Sequence, residues 1–260
     1  MASESWENIW DREVKNTTRQ QLSRGDFWDQ RVAEVCKGTV FGQELTDWQM
    51  AVVAPRQGDS CLEIGPGCGR LTLPLAVSVA SVTVFDISAA MIGCLQKNAA
   101  VAGVGNICCI NQAWEEALLS STGYDLLLAS FSLFMHGLDR QVRRMAAVAH
   151  RTVVFASGEL RVPLELQQEL YGKVMTSHTD AEMIAGVAAE AGLCIRCLSA
   201  DFGRQCVYPS LGVAVDSLVE YCGIGPEQRA TVEDYVTSHY QTDGRRYWRQ
   251  ERGRVGAIEW

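Results

Sequence analysis

No stretch of this sequence stays apolar long enough to cross a bilayer. The longest mostly apolar run, Leu71 to Phe85, is broken by Pro74 and several Ser and Thr residues, and a spanning helix needs roughly 20 apolar residues. The opening Met-Ala-Ser-Glu-Ser-Trp-Glu-Asn lacks an apolar signal core. Both absences lead to the expectation of a cytoplasmic protein with no membrane partner. Basic residues are also in short supply, 23 Lys and Arg against 31 Asp and Glu, for a net charge of -8. A nucleic-acid partner normally asks for a basic face, so none is expected, although a local basic patch remains compatible with the total. Cys194-Ile-Arg-Cys197 has no second C-x-x-C to complete a zinc site. It reads as part of a strand, where residues three apart point to opposite faces, and no metal is expected. Internal repeats and low-complexity segments are missing too.

What remains is an ordinary globular balance, 47% hydrophobic and 21% charged over 260 residues. It can bury a sizeable core and suits one domain, or one domain with an appended element. Residues 1–50 read as an N-terminal helical cap and residues 51–260 as the main domain, with Pro55 and Gly58 marking the break. In the cap, Val32, Val35 and Cys36 share a helical face near Trp28. The ten cysteines are scattered through apparent core elements and read as reduced thiols serving as small hydrophobes.

The most informative stretch is Ser60-Cys-Leu-Glu-Ile-Gly-Pro-Gly-Cys-Gly69. It reads as a buried strand, a carboxylate near its end, and a glycine loop opening a helix. A second apolar strand, Val82 to Phe85, stops at Asp86. These are the parts of a nucleotide-binding βαβ unit, with Asp86 placed to accept hydrogen bonds from a ribose diol. The glycines let backbone approach a ligand closely. A dinucleotide fingerprint spaces its glycines G-x-G-x-x-G, whereas here the order is Gly65-x-Gly67-x-Gly69. Glu63 beside that loop would repel a pyrophosphate but suits a ligand carrying an ammonium group. S-adenosylmethionine carries a sulfonium and an α-ammonium, and no phosphate.

On Glu63, Gly65, Gly67 and Gly69 the chain resembles the class I S-adenosylmethionine-dependent methyltransferases, from about Asp59 onward. The resemblance implies a doubly wound, mostly parallel, seven-stranded Rossmann-like α/β sheet, with S-adenosylmethionine as cofactor. It implies that Glu63 and the Gly65, Pro66, Gly67, Gly69 loop hold the methionine end, Asp86 the ribose and Ile87 the adenine edge. Gln112 stands where many members have an Asp facing the adenine amine, followed by Ala113 and Trp114. A glutamine oxygen can accept from that amine. Trp114 could either stack on the adenine or pack in the core.

The remaining elements fit that order. Continuously apolar strands at 107–110, 124–130 and 151–157 alternate with helices at 69–79, 89–101 and 139–149, as a parallel sheet covered on both faces requires. An insertion with helical character follows strand five at 158–178. A helix over 180–191, a strand over 193–198, a helical excursion over 211–239 and an antiparallel last strand over 254–260 complete the chain.

Ligands of such sheets bind at the carboxyl ends of the strands, which gathers Ser130, Phe134, His136 and Glu159. His136 is the candidate general base, since imidazole titrates near neutrality; a structural hydrogen bond is the other reading. Glu159 could orient a cationic substrate or simply be solvated. Trp28 with Arg31 is similar to a Trp-x-x-Arg segment that helps cover the cofactor in several small-molecule methyltransferases. Arg245 and Arg249 belong to the densest basic stretch, 245–254, which could bind an anionic substrate or form a solvated hairpin. Strand four lacks the Asn-Pro-Pro-Tyr type motif of amino-methylating nucleic-acid and protein enzymes. The expected function is therefore methyl transfer to a small-molecule acceptor. A protein or RNA methyltransferase and a catalytically silent S-adenosylmethionine-binding protein are the alternatives.

Overall fold

The computed structural model describes residues 4–14, 21–32, 42–119, 123–160, 162–173 and 178–260. Helices α1 (Trp6–Val14), α2 (Gly25–Asp29) and α3 (Gln43–Val53) precede the sheet. Then come β1 (Ser60–Ile64), α4 (Thr72–Ser78), β2 (Ser81–Asp86), α5 (Ala89–Ala102), β3 (Ile107–Asn111) and a single turn of 3-10 helix at Trp114–Glu116. Next are β4 (Tyr124–Ser130), α6 (Leu138–Val148), β5 (Ala149–Ser157), α7 (Leu164–Tyr171) and α8 (Asp180–Glu190). The chain closes with β6 (Arg196–Tyr208), α9 (Leu211–Cys222), α10 (Arg229–His239), β7 (Gln241–Thr242) and β8 (Tyr247–Glu259). Val35 and Cys36 of the expected N-terminal helical face lie outside the described residues.

The sheet runs β3-β2-β1-β4-β5-β8-β6, with β7 paired to β8. Strands β1 to β5 pair in parallel, and β8 is antiparallel to both β5 and β6. Successive strands move outward from β1 in one direction and then, from β4, in the other. That reversal opens a crevice at the carboxyl ends of β1 and β4. Leu126, Leu127, Leu128 and Ala129 of β4 are all buried, because helices cover both faces. One face packs with α1, α6 and α8 through Trp10, Leu127, Met145 and Ile184. The other packs with α3, α4 and α5 through Leu45, Leu75, Leu95 and Leu128. A third cluster joins Leu166, Val215, Leu218, Val232 and Tyr235 of α7, α9 and α10.

Local signals set the helix ends near the crevice. The Ser88 hydroxyl accepts from the Met91 N–H at 3.0 Å and caps α5, satisfying an otherwise orphan donor. Gly103, at φ +67°, ends that helix in a backbone region that disfavours a side chain.

Four expectations need correction. The sheet has eight strands rather than seven, because β7 adds a two-residue rung to β8. The last two long strands extend far beyond 193–198 and 254–260. They pair from Arg196↔Glu259 through Tyr208↔Tyr247, and past the β5–β8 register, which ends at Val255, the pair continues as a ribbon joined by β7 at its far end. Polar residues recur along both extensions, mostly exposed in β6 and half-buried or exposed in β8, and hide them from an apolar-run criterion. The excursion over 211–239 is two helices, interrupted at Gly223 and Pro226. Among the cysteines, Cys108, Cys194 and Cys197 are exposed and Cys68 is disulfide-bonded, so buried reduced thiols fail to describe those four. Cys194 precedes β6 and Cys197 lies within it. Among the described residues no group of His, Cys, Asp and Glu could hold a metal ion, and no helix is long and apolar enough to cross a membrane.

Candidate active site

The loop after β1 turns sharply three times, with φ of +68° at Gly65, +55° at Gly67 and +94° at Gly69, a region that glycine enters at little cost. At Gly65 space matters as well. A Cβ there would stand 2.4 Å from the Ser132 Cβ, closer than side chains approach. Ser132 is drawn in because its hydroxyl donates to the Ile64 carbonyl at 2.5 Å. Gly67 borders open space, with nothing within 4 Å of where a Cβ would lie.

Two carboxyls face this loop. Asp86 ends β2, where its Oδ2 accepts from the Gly67 N–H at 3.2 Å and its Oδ1 from the Ser88 N–H at 2.9 Å. Burial raises its pKa, and those two N–H groups oppose the rise. Glu63 is 2% exposed. The Thr72 hydroxyl donates to its Oε2 at 2.7 Å. Desolvation dominates all the same and pushes the Glu63 carboxyl up to about 7, with Thr72 and Arg70 pulling the other way.

Both carboxyls open on a cavity of about 920 Å³. Its lining brings together Glu63, Gly65, Pro66, Gly67, Gly69, Asp86, Ile87, Gln112, Ala113, Trp114, Ser130, Trp28 and Phe134 from the sequence expectations. Gln112 donates its side-chain N–H to the Glu116 carbonyl at 3.3 Å, which leaves the amide oxygen free to accept. Trp114 is buried, packed edge-on to Phe85 and covered by the Arg144 guanidinium 4.3 Å from its ring centroid. Phe131, also in the lining, has φ +53°, an uncommon conformation for a bulky residue that concentrates at functional sites.

Helix α2 covers one side. Asp29 Oδ1 accepts from the Ser88 hydroxyl at 2.6 Å and from the Ala90 N–H at 3.0 Å. Gly25 lies so close to the Ile87 carbonyl that a Cβ would meet its oxygen at 2.5 Å. Trp28 is thereby held facing Phe134, with stacked rings 6.5 Å apart. Arg31 sits over the Phe27 ring and pairs with Glu220 of α9 at 2.6 Å.

Four expected residues lie outside the cavity lining. His136 is half exposed, with Nδ1 3.6 Å from Asp11 Oδ1. Glu159 pairs with Arg204 at 3.2 Å. Arg249 bonds the Tyr235 hydroxyl and lies 3.3 Å from Glu251, while Arg245 is exposed at the tip of the ribbon. Within the basic stretch Arg254 pairs with Asp201 of the neighbouring strand, Arg249 lies beside Glu251 of its own strand and Arg246 pairs with Asp243 in the turn before it. Two groups that the sequence reading passed over, Arg70 and Asp29, stand at the site. Arg70 directly follows the glycine motif, which is the one signal that could have found it. Asp29 gave none, since its partners are sixty residues away.

Residues 61–156 match the family model described as a methyltransferase domain. The match covers 96 of the 260 residues, and over them the chain is similar to the S-adenosylmethionine-dependent methyltransferases, in agreement with its Rossmann-like fold. An uncharacterized protein of Haemophilus influenzae is 25% identical over 131 residues, 50% of this chain and 49% of that one. The chain thus spans about half the length of the curated relative it matches. Among crystal structures, the YcgJ protein of Bacillus subtilis superimposes with a TM-score of 0.55 at 13% identity, covering 84% of this chain and 98% of that chain. A candidate methyltransferase of Bacillus halodurans does so with a TM-score of 0.55 at 13% identity, covering 82% and 96%. At such identity these likenesses speak to the fold.

Proposed function

We propose that this protein transfers the methyl group of S-adenosylmethionine to a small, largely apolar acceptor. The observation that carries the reading is the pairing of Asp86 and Glu63 on one cavity. One carboxylate is prepared by two backbone N–H groups, and the other lies buried at the glycine loop. The donor set fits the cofactor. Asp86 retains lone pairs for the ribose hydroxyls, Glu63 offers a negative site for the α-ammonium, and Gln112 offers an acceptor to the adenine amine. Gly67 leaves space where a side chain would stand. Ile87, Ala113 and Trp114 supply apolar surface for the base.

The cofactor supplies a methyl carbon already activated by its sulfonium. What the chain adds is alignment and exclusion of water. Trp28, Phe131, Phe134 and Met135 provide an apolar wall, which favours an acceptor with an apolar body. His136 and Glu159 are outside that lining, and no role in the reaction is proposed for them. An acceptor that is already nucleophilic at neutral pH needs no base. The test is calorimetry followed by turnover. S-adenosylhomocysteine should bind and NAD should not, and a cell metabolite extract should support formation of S-adenosylhomocysteine from S-adenosylmethionine. Tight NAD binding with no response to S-adenosylhomocysteine would overturn the assignment. Cofactor binding without turnover would favour a silent binding protein.

A further inference from the structure

Trp28 and Phe134 both line the cavity, and each is half-buried. Their rings are tilted by only 27°, with centroids 6.5 Å apart. Aromatic pairs in contact span about 4.5–7 Å between centroids, so this pair stands near the long end. Stacked carbon surfaces touch at roughly 3.5 Å, so a flat ring in contact with two facing rings needs about 7 Å between them. The observed spacing is within about half an ångström of that width. A saturated ring is thicker, because hydrogens stand off both of its faces.

Both walls are held from behind. Trp28 Nε1 donates to the Leu22 carbonyl at 2.7 Å, so its polar atom is satisfied and its ring face remains for a ligand. Phe27 packs edge-on to Trp28 at 5.2 Å and 86°. Arg31 covers Phe27 and is itself tied to Glu220. On the other side, helix α1 pins the loop that carries Phe134. Trp10 Nε1 donates to the Met135 carbonyl at 2.8 Å, and the Gly137 N–H donates to Asp11 Oδ1 at 3.1 Å. Walls fixed in advance lose little freedom when a ligand enters.

Resting on the methyl-transfer reading above, we infer that the acceptor is planar and aromatic, and that Trp28 and Phe134 hold its ring between them. The apolar wall asks only for an apolar body, whereas the facing rings add a thickness. A conjugated ring gains face contact on both sides, and a saturated ring of the same outline has to force them apart. Phe27 and Arg31 act as positioning residues behind Trp28. Phe134 lies within residues 61–156 that match the methyltransferase domain and Trp28 lies before them, so the N-terminal cap supplies half of the acceptor site.

The test uses 2-naphthol and its saturated counterpart decahydro-2-naphthol, titrated by calorimetry onto protein with and without S-adenosylhomocysteine. Wild type should prefer 2-naphthol by about tenfold or more, the scale of two aromatic contacts. Trp28→Leu and Phe134→Leu should each reduce that preference to about threefold or less, since one contact remains. Trp28→Phe should keep most of it. Circular dichroism establishes that the variants fold, and the ratio of the two probes is a readout that a merely structural role would not move. Equal affinity for the two probes, binding of neither, or leucine variants that keep the preference would overturn the inference. So would a Trp28→Leu variant that loses S-adenosylhomocysteine as strongly as 2-naphthol, because the ring would then belong to the cofactor. The titrations without S-adenosylhomocysteine read the two rings by themselves. A wild type that ignores S-adenosylhomocysteine would therefore bring down the cofactor reading, a distinct outcome, while the probes still decide the slot.

Discussion

Strand β1 has five residues and buries the last four. Strand β6 has thirteen and buries only Phe202. Both are regular and fully paired, yet different forces hold them. In β1 the last four side chains are buried under the covering helices, so burial supplies the stability and those positions call for apolar residues. Glu63 breaks that rule, and the cost appears as a carboxyl pushed to about 7. In the β6–β8 ribbon the backbone ladder and cross-strand pairs such as Arg254–Asp201 and Arg204–Glu251 carry the structure. A charge in the ribbon is ordinary, whereas a charge in β1 asks for a reason, and the cavity provides one.

The largest expected difference between the regions is in stability. Leu128 of β4 is fully buried, and Leu198 of β6 is 39% exposed. Leu128→Ala should cost about 2–5 kcal/mol through lost burial and a residual cavity. Leu198→Ala should cost under about 1 kcal/mol. Urea unfolding followed by circular dichroism measures both. Similar losses would mean that the ribbon is as tightly integrated as the centre of the sheet.

Next in size is ligand affinity. Asp86→Ala removes an anionic acceptor that two backbone N–H groups hold in place. S-adenosylhomocysteine affinity should fall about tenfold or more, from roughly 1.5–3 kcal/mol for a hydrogen bond to a charged group, while the circular dichroism spectrum stays native. Unchanged affinity would remove Asp86 from the ribose.

Glu63 gives a pH-dependent version of the comparison. Its folded pKa stands near 7 against an ordinary 4.5, so the fold disfavours the ionised form. Its contribution to apo stability is therefore fully present below about 4.5 and lost as pH rises through 7. Glu63→Gln should abolish that decline, a gain on the order of 3 kcal/mol at pH 8. An ammonium ligand favours the ionised form, so wild-type affinity for S-adenosylhomocysteine should climb with pH up to about 7 and then level, with proton release on binding below that point. The variant should bind weakly and without the climb. Calorimetry in two buffers of different ionisation enthalpy reads the released proton directly.

The same contrast explains what was legible in the sequence. Continuous apolar runs announced β1, β2, β4 and β5. The glycine triplet with Glu63 and Asp86 announced the crevice, since these residues are near neighbours in both chain and space. Asp29 bonds Ser88 and Ala90 from another part of the chain, and Thr46 reaches Arg70. Such partners are chosen by folding and leave no local pattern. The ribbon escaped because its strands alternate polar residues with half-buried and exposed positions, and its arginines, read as one basic cluster, divide their contacts among Asp201, Asp243, Glu251 and Tyr235.

The smallest effect belongs to the ribbon's surface. Arg254 donates to Asp201 at 2.7 and 3.1 Å, and the guanidinium holds the Asp201 carboxyl below its ordinary range. Both groups are well exposed, so water and salt screen the pair and its net contribution is small. The thirteen-position backbone ladder from Arg196 to Tyr208 remains when the side chain is changed. Asp201→Asn should therefore leave the melting temperature and S-adenosylhomocysteine affinity within the scatter of repeat measurements, at low salt and at high. The sign of any residual effect is fixed: a lowered carboxyl pKa contributes stability above the unfolded value and loses it as pH falls, so a difference should shrink in acid. A clear loss of ligand affinity in this variant would show that the ribbon communicates with the cavity, and the division between a buried, site-bearing centre and a surface-held ribbon would have to be given up.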